Sequence, residues 1–249
     1  MFPGVGTIVN MATVLVGTTL GVLVGHRLNE RTRSLVTDCL GLVTLLIAAL
    51  TVMDVGAPEL VDAVGSQAPV LIVLGSLLLG GIAGSLLRVE DRFESLGAWL
   101  RDRLTRGDDG EGDRRRFVEG FVSASLLFCV GPLTILGSLN DGLGRGADQL
   151  YVKAALDGFA AIAFAASFGW GVAASVLVIG VVQGGITLLG ALAGDVLPDA
   201  HVAALGATGG LVLVALALGL LRLRRIKVGD LLPALLVAPL LTQAVVLVR

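Results

Sequence analysis

Long apolar runs recur along the chain, each about 20 residues, separated by short segments that carry charge or turn residues. At 1.5 Å per helical residue, about 20 residues cross the roughly 30 Å of a bilayer's hydrocarbon. Eight spans follow from the pattern, at 5–25, 34–53, 67–87, 117–139, 151–170, 172–194, 202–221 and 229–248. The first run is too long, too glycine-rich and too poor in preceding basic residues for a cleaved signal peptide, and is kept as a span. The boundary is sharpest at Arg114-Arg115-Arg116-Phe117-Val118-Glu119-Gly120, where an arginine run stops against an apolar segment with a carboxylate in its first turn.

One hydrophilic stretch is long enough for structure of its own. Between Arg88 and Arg106 the residues Val89, Phe93, Leu96, Leu100 and Leu104 recur at helical spacing, with Trp99 beside them. The pattern predicts a surface helix lying in the headgroup region, or else a continuation of the third span packed on its neighbours. The rest of 88–116 reads as a Gly/Asp/Arg-rich loop, and no soluble domain is expected beside a single transmembrane domain over 1–249.

Composition agrees with the pattern. Hydrophobic residues make up 55% and charged residues only 15%, with 35 glycines in 249 residues and a mean hydropathy of +0.91, so a water-soluble fold is excluded. The expectation is an all-α, polytopic helix bundle whose partner is the lipid bilayer, with no nucleic-acid role. Cys39 and Cys129 fall in separate apolar runs without metal-ligand spacing and read as small buried residues.

Net charge of −2 conceals a segregation of sign. Arg27, Arg31 and Arg33, eight arginines from Arg88 to Arg116, and Arg222, Arg224, Arg225 and Lys227 fall on one side of an eight-span alternation, fifteen in all; Arg145, Lys153 and Arg249 fall on the other. By the positive-inside rule the expectation is a bacterial inner-membrane protein with the 88–116 segment in the cytoplasm and both termini outside.

Laid on itself with a shift of 173, the chain places Asn10 on Gln183, Gly17 on Gly190 and Gly21 on Gly194. After a four-residue gap Leu28, Glu30, Gly41, Leu42 and Val43 meet Leu197, Asp199, Gly210, Leu211 and Val212. Five spans separate the starts of the two units, so the copies would cross in opposite directions, an inverted repeat on a three-plus-two-plus-three plan, the symmetry of carriers that expose a midplane site alternately. Gly17, Gly21 and Gly25 also form a GxxxGxxxG stripe, echoed by Gly180/Gly184, Gly190/Gly194 and Gly206/Gly210. Such stripes let helix backbones approach, inside one molecule or across a homo-oligomer.

Functional chemistry is sought in polar groups placed where hydrocarbon should be. These are Asp38, Glu119 and Asp157, with the uncharged Asn10, Gln183 and Gln243. Asp38 and Glu119 read either as ion-coupling groups or as first-turn carboxylates favoured by the helix dipole. Asp157, four residues after Lys153, reads either as a coupling group or as half of an ion pair on one helical face. Helix breaks are predicted at Gly131-Pro132 and at Pro233 and Pro239, which can free carbonyls to line a cavity or simply bend a helix. Asn140-Asp141-Gly142 reads as a turn.

Several of these segments carry a resemblance. The run Phe117-Val118-Glu119-Gly120-Phe121-Val122-Ser123-Ala124-Ser125-Leu126-Leu127-Phe128-Cys129-Val130-Gly131, with Ile135-Leu136-Gly137-Ser138, Leu156-Asp157-Gly158, Gln183-Gly184 and Leu231-Leu232-Pro233-Ala234-Leu235, resembles the bacterial YqgA/YdfK family of uncharacterised multi-spanning membrane proteins. Members often have Leu-Pro where this chain has Leu28-Asn29. The resemblance implies a membrane location and supplies no substrate.

No Walker loop, HExxH, GxSxG or paired histidines occur, and His26 and His201 fall in loops on opposite sides, so neither an enzyme nor a cofactor is expected. The leading reading is a secondary transporter or channel for a small solute or ion. The alternatives are a non-transporting scaffold or partner subunit, which the glycine faces would suit, and an intramembrane enzyme.

Overall fold

The computed structural model describes residues 2–25, 27–104, 111–130, 132–193 and 198–248. Among them all regular structure is helical: α1 (Val5–Gly25), α2 (Glu30–Val52), α3 (Pro58–Val64), α4 (Ala68–Leu87), α5 (Val89–Leu104), α6 (Glu111–Cys129), α7 (Pro132–Gly142), α8 (Asp148–Phe168), α9 (Gly171–Ala193), α10 (Asp199–Leu220) and α11 (Ala234–Val248), with 3-10 turns at Met53–Gly56 and Gly229–Leu231. Among the described residues seven helices are long and apolar enough to cross a membrane. The pair Gly112–Cys129 and Leu133–Gly142, bent by 63°, makes the eighth when taken as one broken span. Rows of exposed apolar side chains, such as Leu42, Leu46 and Leu50 on α2 and Leu71, Leu74 and Leu78 on α4, are what lipid solvates and water would not.

The chain divides into two compact units. The first comprises Met1–Gly41, Arg92–Cys129 and Leu133–Gly194, the second Leu42–Asp91, Val130–Pro132 and Asp195–Arg249. In the first, α1 lies along α8 in the same direction. Gly17 faces the carbonyl of Gly158, Gly21 that of Ile162 and Gly25 that of Ala166, and a Cβ at any of the three would strike backbone. Helices with nothing but backbone between them gain dispersion contacts that lipid cannot match. The stripe is thus spent inside the chain. α9 runs antiparallel to α1, with Gly180 against Met11 and Gln183 against Asn10. α6 and α7 together run parallel to α9, with Gly171 seated on Phe117 at one end and Gly190 beside Leu139 and Gly142 at the other, while Gly120 meets Phe168 at the end of α8. Phe121, Phe128 and Phe164 are fully buried and form the aromatic core, Phe128 meeting Phe164 edge-on at 6.3 Å.

The second unit is organised around α10, two-thirds of whose apolar window is enclosed (67%). α2 packs antiparallel to it, Gly210 receiving Val52 and Gly206 receiving Asp54. α4 and α11 are antiparallel, with Gly80 on Ala234 and Gly84 on Asp230. Leu60, Val64, Ile72, Ala200 and Ala204 form a core beneath α3. The corner leaving α4 turns at Arg88, whose φ of 51° is left-handed. It is locked reciprocally: the Glu90 amide donates to Asp230 Oδ1 at 2.9 Å, and the Gly229 amide donates to Glu90 Oε2 at 2.5 Å. Within each unit the helix directions agree with an eight-span alternation.

Several expectations need correction. α5 is a separate helix rather than an extension of the third span, because α4 ends at Arg88 in the left-handed conformation. Its inner face is Phe93, Gly97 and Leu100, with Phe93 stacked on Phe121 at 5.9 Å; Leu96 and Trp99 are exposed, Arg103 lying 5.6 Å over the Trp99 ring. α3 was not legible, being too short for a periodic signal. α2 starts at Glu30, earlier than its apolar run, because Asn29 caps it: its Oδ1 accepts the Thr32 amide at 2.8 Å. Asn140-Asp141-Gly142 closes α7 and is not a turn. Pro233 separates the last 3-10 turn from α11, whereas Pro239 lies inside α11, which continues through it.

Candidate functional site

Four side chains from three helices of the first unit meet in its interior. Asn10 on α1 and Gln183 on α9 are fully buried, and Lys153 and Asp157 on α8 are 6% and 8% exposed. The i,i+4 spacing puts the Lys153 ammonium and the Asp157 carboxylate on one face of α8, where they form an ion pair through Asp157 Oδ2. Asn10 Nδ2 donates to the same oxygen at 2.9 Å and to Gln183 Oε1 at 3.2 Å. One amide therefore joins all three helices and uses both of its N–H groups. Thr187 stands one turn beyond Gln183 on α9 and Thr7 about one turn before Asn10 on α1. Because these helices are antiparallel, both threonines extend the polar column toward the same end.

The inventory does not balance. Asn10 Oδ1, Gln183 Nε2, Thr7 Oγ1 and Thr187 Oγ1 are buried and have no hydrogen-bond partner among the described residues. An orphaned buried amide or hydroxyl costs about 1–3 kcal/mol; Thr18, Ser125 and Ser138 carry further unpartnered hydroxyls, and these four are set apart by following the Asn10–Gln183 bond along α1 and α9 beside the charged pair. They comprise one acceptor, one donor and two hydroxyls able to act as either. At the end of the column nearest the start of α1, Asp141, 4% exposed, accepts the amides of Gly4 at 3.2 Å and Gly6 at 3.0 Å, capping α1 from α7 with a carboxylate where the helix dipole favours one.

Of the sequence candidates, Asp157, Asn10 and Gln183 come together. Glu119 and Asp38 do not: Glu119 is exposed on α6 and Asp38 half-buried on α2. Neither lies in a first helical turn, because α6 begins at Glu111 and α2 at Glu30; the dipole explanation for these two fails with that shift. Gly17, Gly21 and Gly25 are packing residues, as is Gly190 against Leu139 and Gly142. Gly131, Gly194 and His26 lie outside the described residues; the break expected at Gly131-Pro132 is present as the 63° bend. His201 is not in a loop but in the first turn of α10, its Nε2 2.9 Å from Gln243 Oε1. Residues that sequence reasoning missed are Thr7, Thr187 and Asp141. The spacings Thr7-x-x-Asn10 and Gln183-x-x-x-Thr187, each about one helical turn, were the available signal. Among the described residues no three His, Cys, Asp or Glu side chains converge as metal ligands.

Comparison with known proteins agrees with this picture and adds no activity. The chain is 28% identical over 236 residues to the uncharacterized membrane protein YdfK of Bacillus subtilis, covering 94% of this chain and 93% of that one. It is 29% identical over 240 residues to the uncharacterized protein YqgA of Escherichia coli K12, covering 96% and 97%. No solved structure matches. Residues 5–243 match the family described as a protein of unknown function, DUF554, and with nearly its whole length matched the chain, a multi-helix membrane protein, belongs to that family.

Proposed function

We propose that this protein is a secondary transporter or channel for a small solute, and that the Asn10–Lys153–Asp157–Gln183 network is where the solute is held. The observation that carries the reading is a charged pair, enclosed among membrane-crossing helices, beside amide and hydroxyl atoms that have no partner. Ionisable groups at such depth are costly and are kept for binding or coupling. The inverted repeat belongs to the same proposal: its alignment equates Asn10 with Gln183, and these two side chains hydrogen-bond each other, as a pair flanking a symmetry axis would. Location in the bacterial inner membrane with both termini outside completes the reading on the strength of the charge asymmetry, and a role without an enzymatic step is proposed with it because the sequence carries no catalytic motif.

The test is flux in proteoliposomes, after a thermal-shift screen of the purified protein across amino acids, organic acids, polyols and ions has supplied a solute. Asp157→Asn should lower uptake at least about tenfold while folding is retained, as expected for a residue in the binding shell. Glu119→Gln, on an exposed side chain, should leave uptake within about twofold. Wild-type uptake in Asp157→Asn would remove the network from the transport path.

A further inference from the structure

We infer that Lys153 is a built-in counter-cation: its ammonium fills the place beside Asp157 that a mobile inorganic cation would otherwise take, and the ligand of the network is a polar solute of zero net charge. This deepens the transporter reading and rests on it.

The geometry is specific. Lys153 and Asp157 are fixed one helical turn apart on α8, with side chains 7% and 11% exposed, so neither can reach water to be neutralised there. The carboxylate oxygen that takes the ammonium also takes Asn10 Nδ2. Around the pair the remaining groups are uncharged amides and hydroxyls, Asn10, Gln183, Thr7 and Thr187, with the Cys129 thiol also within electrostatic reach of both Lys153 and Asp157. Asp141, the other acid toward the end of the column nearest the start of α1, is engaged by the Gly4 and Gly6 amides at the positive end of that helix. Charge in the column is thus compensated from within. A cation entering would have to displace Lys153 and leave an ammonium stranded, and an anion would face Asp157; in a medium of low dielectric either uncompensated charge is expensive. What remains on offer is Asn10 Oδ1 as an acceptor, Gln183 Nε2 as a donor and two hydroxyls, a set matching a small molecule that both gives and accepts hydrogen bonds and is neutral or zwitterionic.

The experiment reads stability in detergent, so it needs no transported solute. Melting temperatures of wild type, Lys153→Met, Asp157→Asn and the double variant Lys153→Met/Asp157→Asn are measured in sodium, potassium or ethylammonium chloride, against choline chloride at equal ionic strength. The wild type should respond equally to all four salts. Lys153→Met, left with an unneutralised carboxylate, should melt lower in choline and regain about 3 °C or more in sodium or ethylammonium. The double variant should recover most of the loss and be indifferent to the cation. If Lys153→Met cannot be purified, the double variant decides: recovery supports the assignment and failure to recover overturns it. A wild type stabilised by sodium over choline, with the effect abolished in Asp157→Asn, would mean that a mobile cation binds at Asp157 and would overturn it. So would a Lys153→Met protein as stable as the wild type in every salt. Should these results hold while no solute is ever moved, the transport reading falls and the charge assignment stands.

Discussion

Asn10 does more than its size suggests. Its amide nitrogen is shared between Asp157 on α8 and Gln183 on α9, so removing it loosens two contacts at once. Asn10→Ala and Gln183→Ala should each lower stability, and in the double variant the losses should fall short of their sum by about 0.5–1.5 kcal/mol, the coupling expected of an interhelical polar pair; strict additivity in denaturation midpoints would mean that the bond does not form. Asp141 offers a second check. Its carboxylate holds the first amides of α1, so Asp141→Ala should cost about 1–2 kcal/mol and Asp141→Asn, which keeps an acceptor, distinctly less. Equal losses would deny the cap. The Asn10–Asp157 bond and the partners of Asp141 were not readable from the chain, because these bonds join positions 135 to 147 residues apart; the Asn10–Gln183 pair was suggested only by the alignment of the chain on itself. Asn10 stood out as a polar residue inside an apolar run, whereas Asp141 was assigned to a turn from its Asn-Asp-Gly setting.

At the scale of elements, the glycine stripe of α1 was legible as a contact face and its partner was not. GxxxGxxxG says that backbones approach; only the fold selects α8 over a second copy of the chain. Gly21→Leu would drive a side chain into the Ile162 carbonyl and should cost roughly 1–3 kcal/mol or more, lowering the melting temperature by about 3–10 °C. The natural neighbour for comparison, Val22, is buried at 7% exposure, so Val24, which is 49% exposed, serves instead, and Val24→Leu should be near neutral. Identical melting curves for the two variants would show that α1 and α8 are not in close contact. The same distinction separates the prolines. Pro132 begins α7 after a sharp bend, a position where proline's missing donor costs nothing. Pro239 sits within a helix that continues past it. Sequence marks both residues alike, and the surrounding packing decides which one breaks the span.

For the whole molecule, orientation is the quantity that charge predicts. A cysteine at Gly112, exposed in the first turn of α6 with open space around it, should be shielded from impermeant thiol reagents in intact cells lacking Cys39 and Cys129. One at Ser66, exposed before α4, should label readily. Gly65 is the poorer position for that second probe, since its φ of 88° strains any side chain. Labelling at Gly112 as strong as at Ser66 would reverse the topology.

Helical class, the number of membrane-length runs and the segregation of charge along the chain follow from sequence because each is set by local composition against a slab of fixed thickness: a run of about 20 apolar residues is long enough to cross as a helix whatever its neighbours are. The candidate site is of another kind. Asp38, Glu119 and Asp157 are equivalent as carboxylates in apolar runs, and nothing along the chain says which one turns inward. That choice belongs to tertiary structure, because burial of a charge is decided by the helices that surround it. The Lys153–Asp157 pair is local to α8; only once α1 and α9 close on that helix does Asn10 reach Asp157 and Gln183 reach Asn10, while Glu119 is left at the surface.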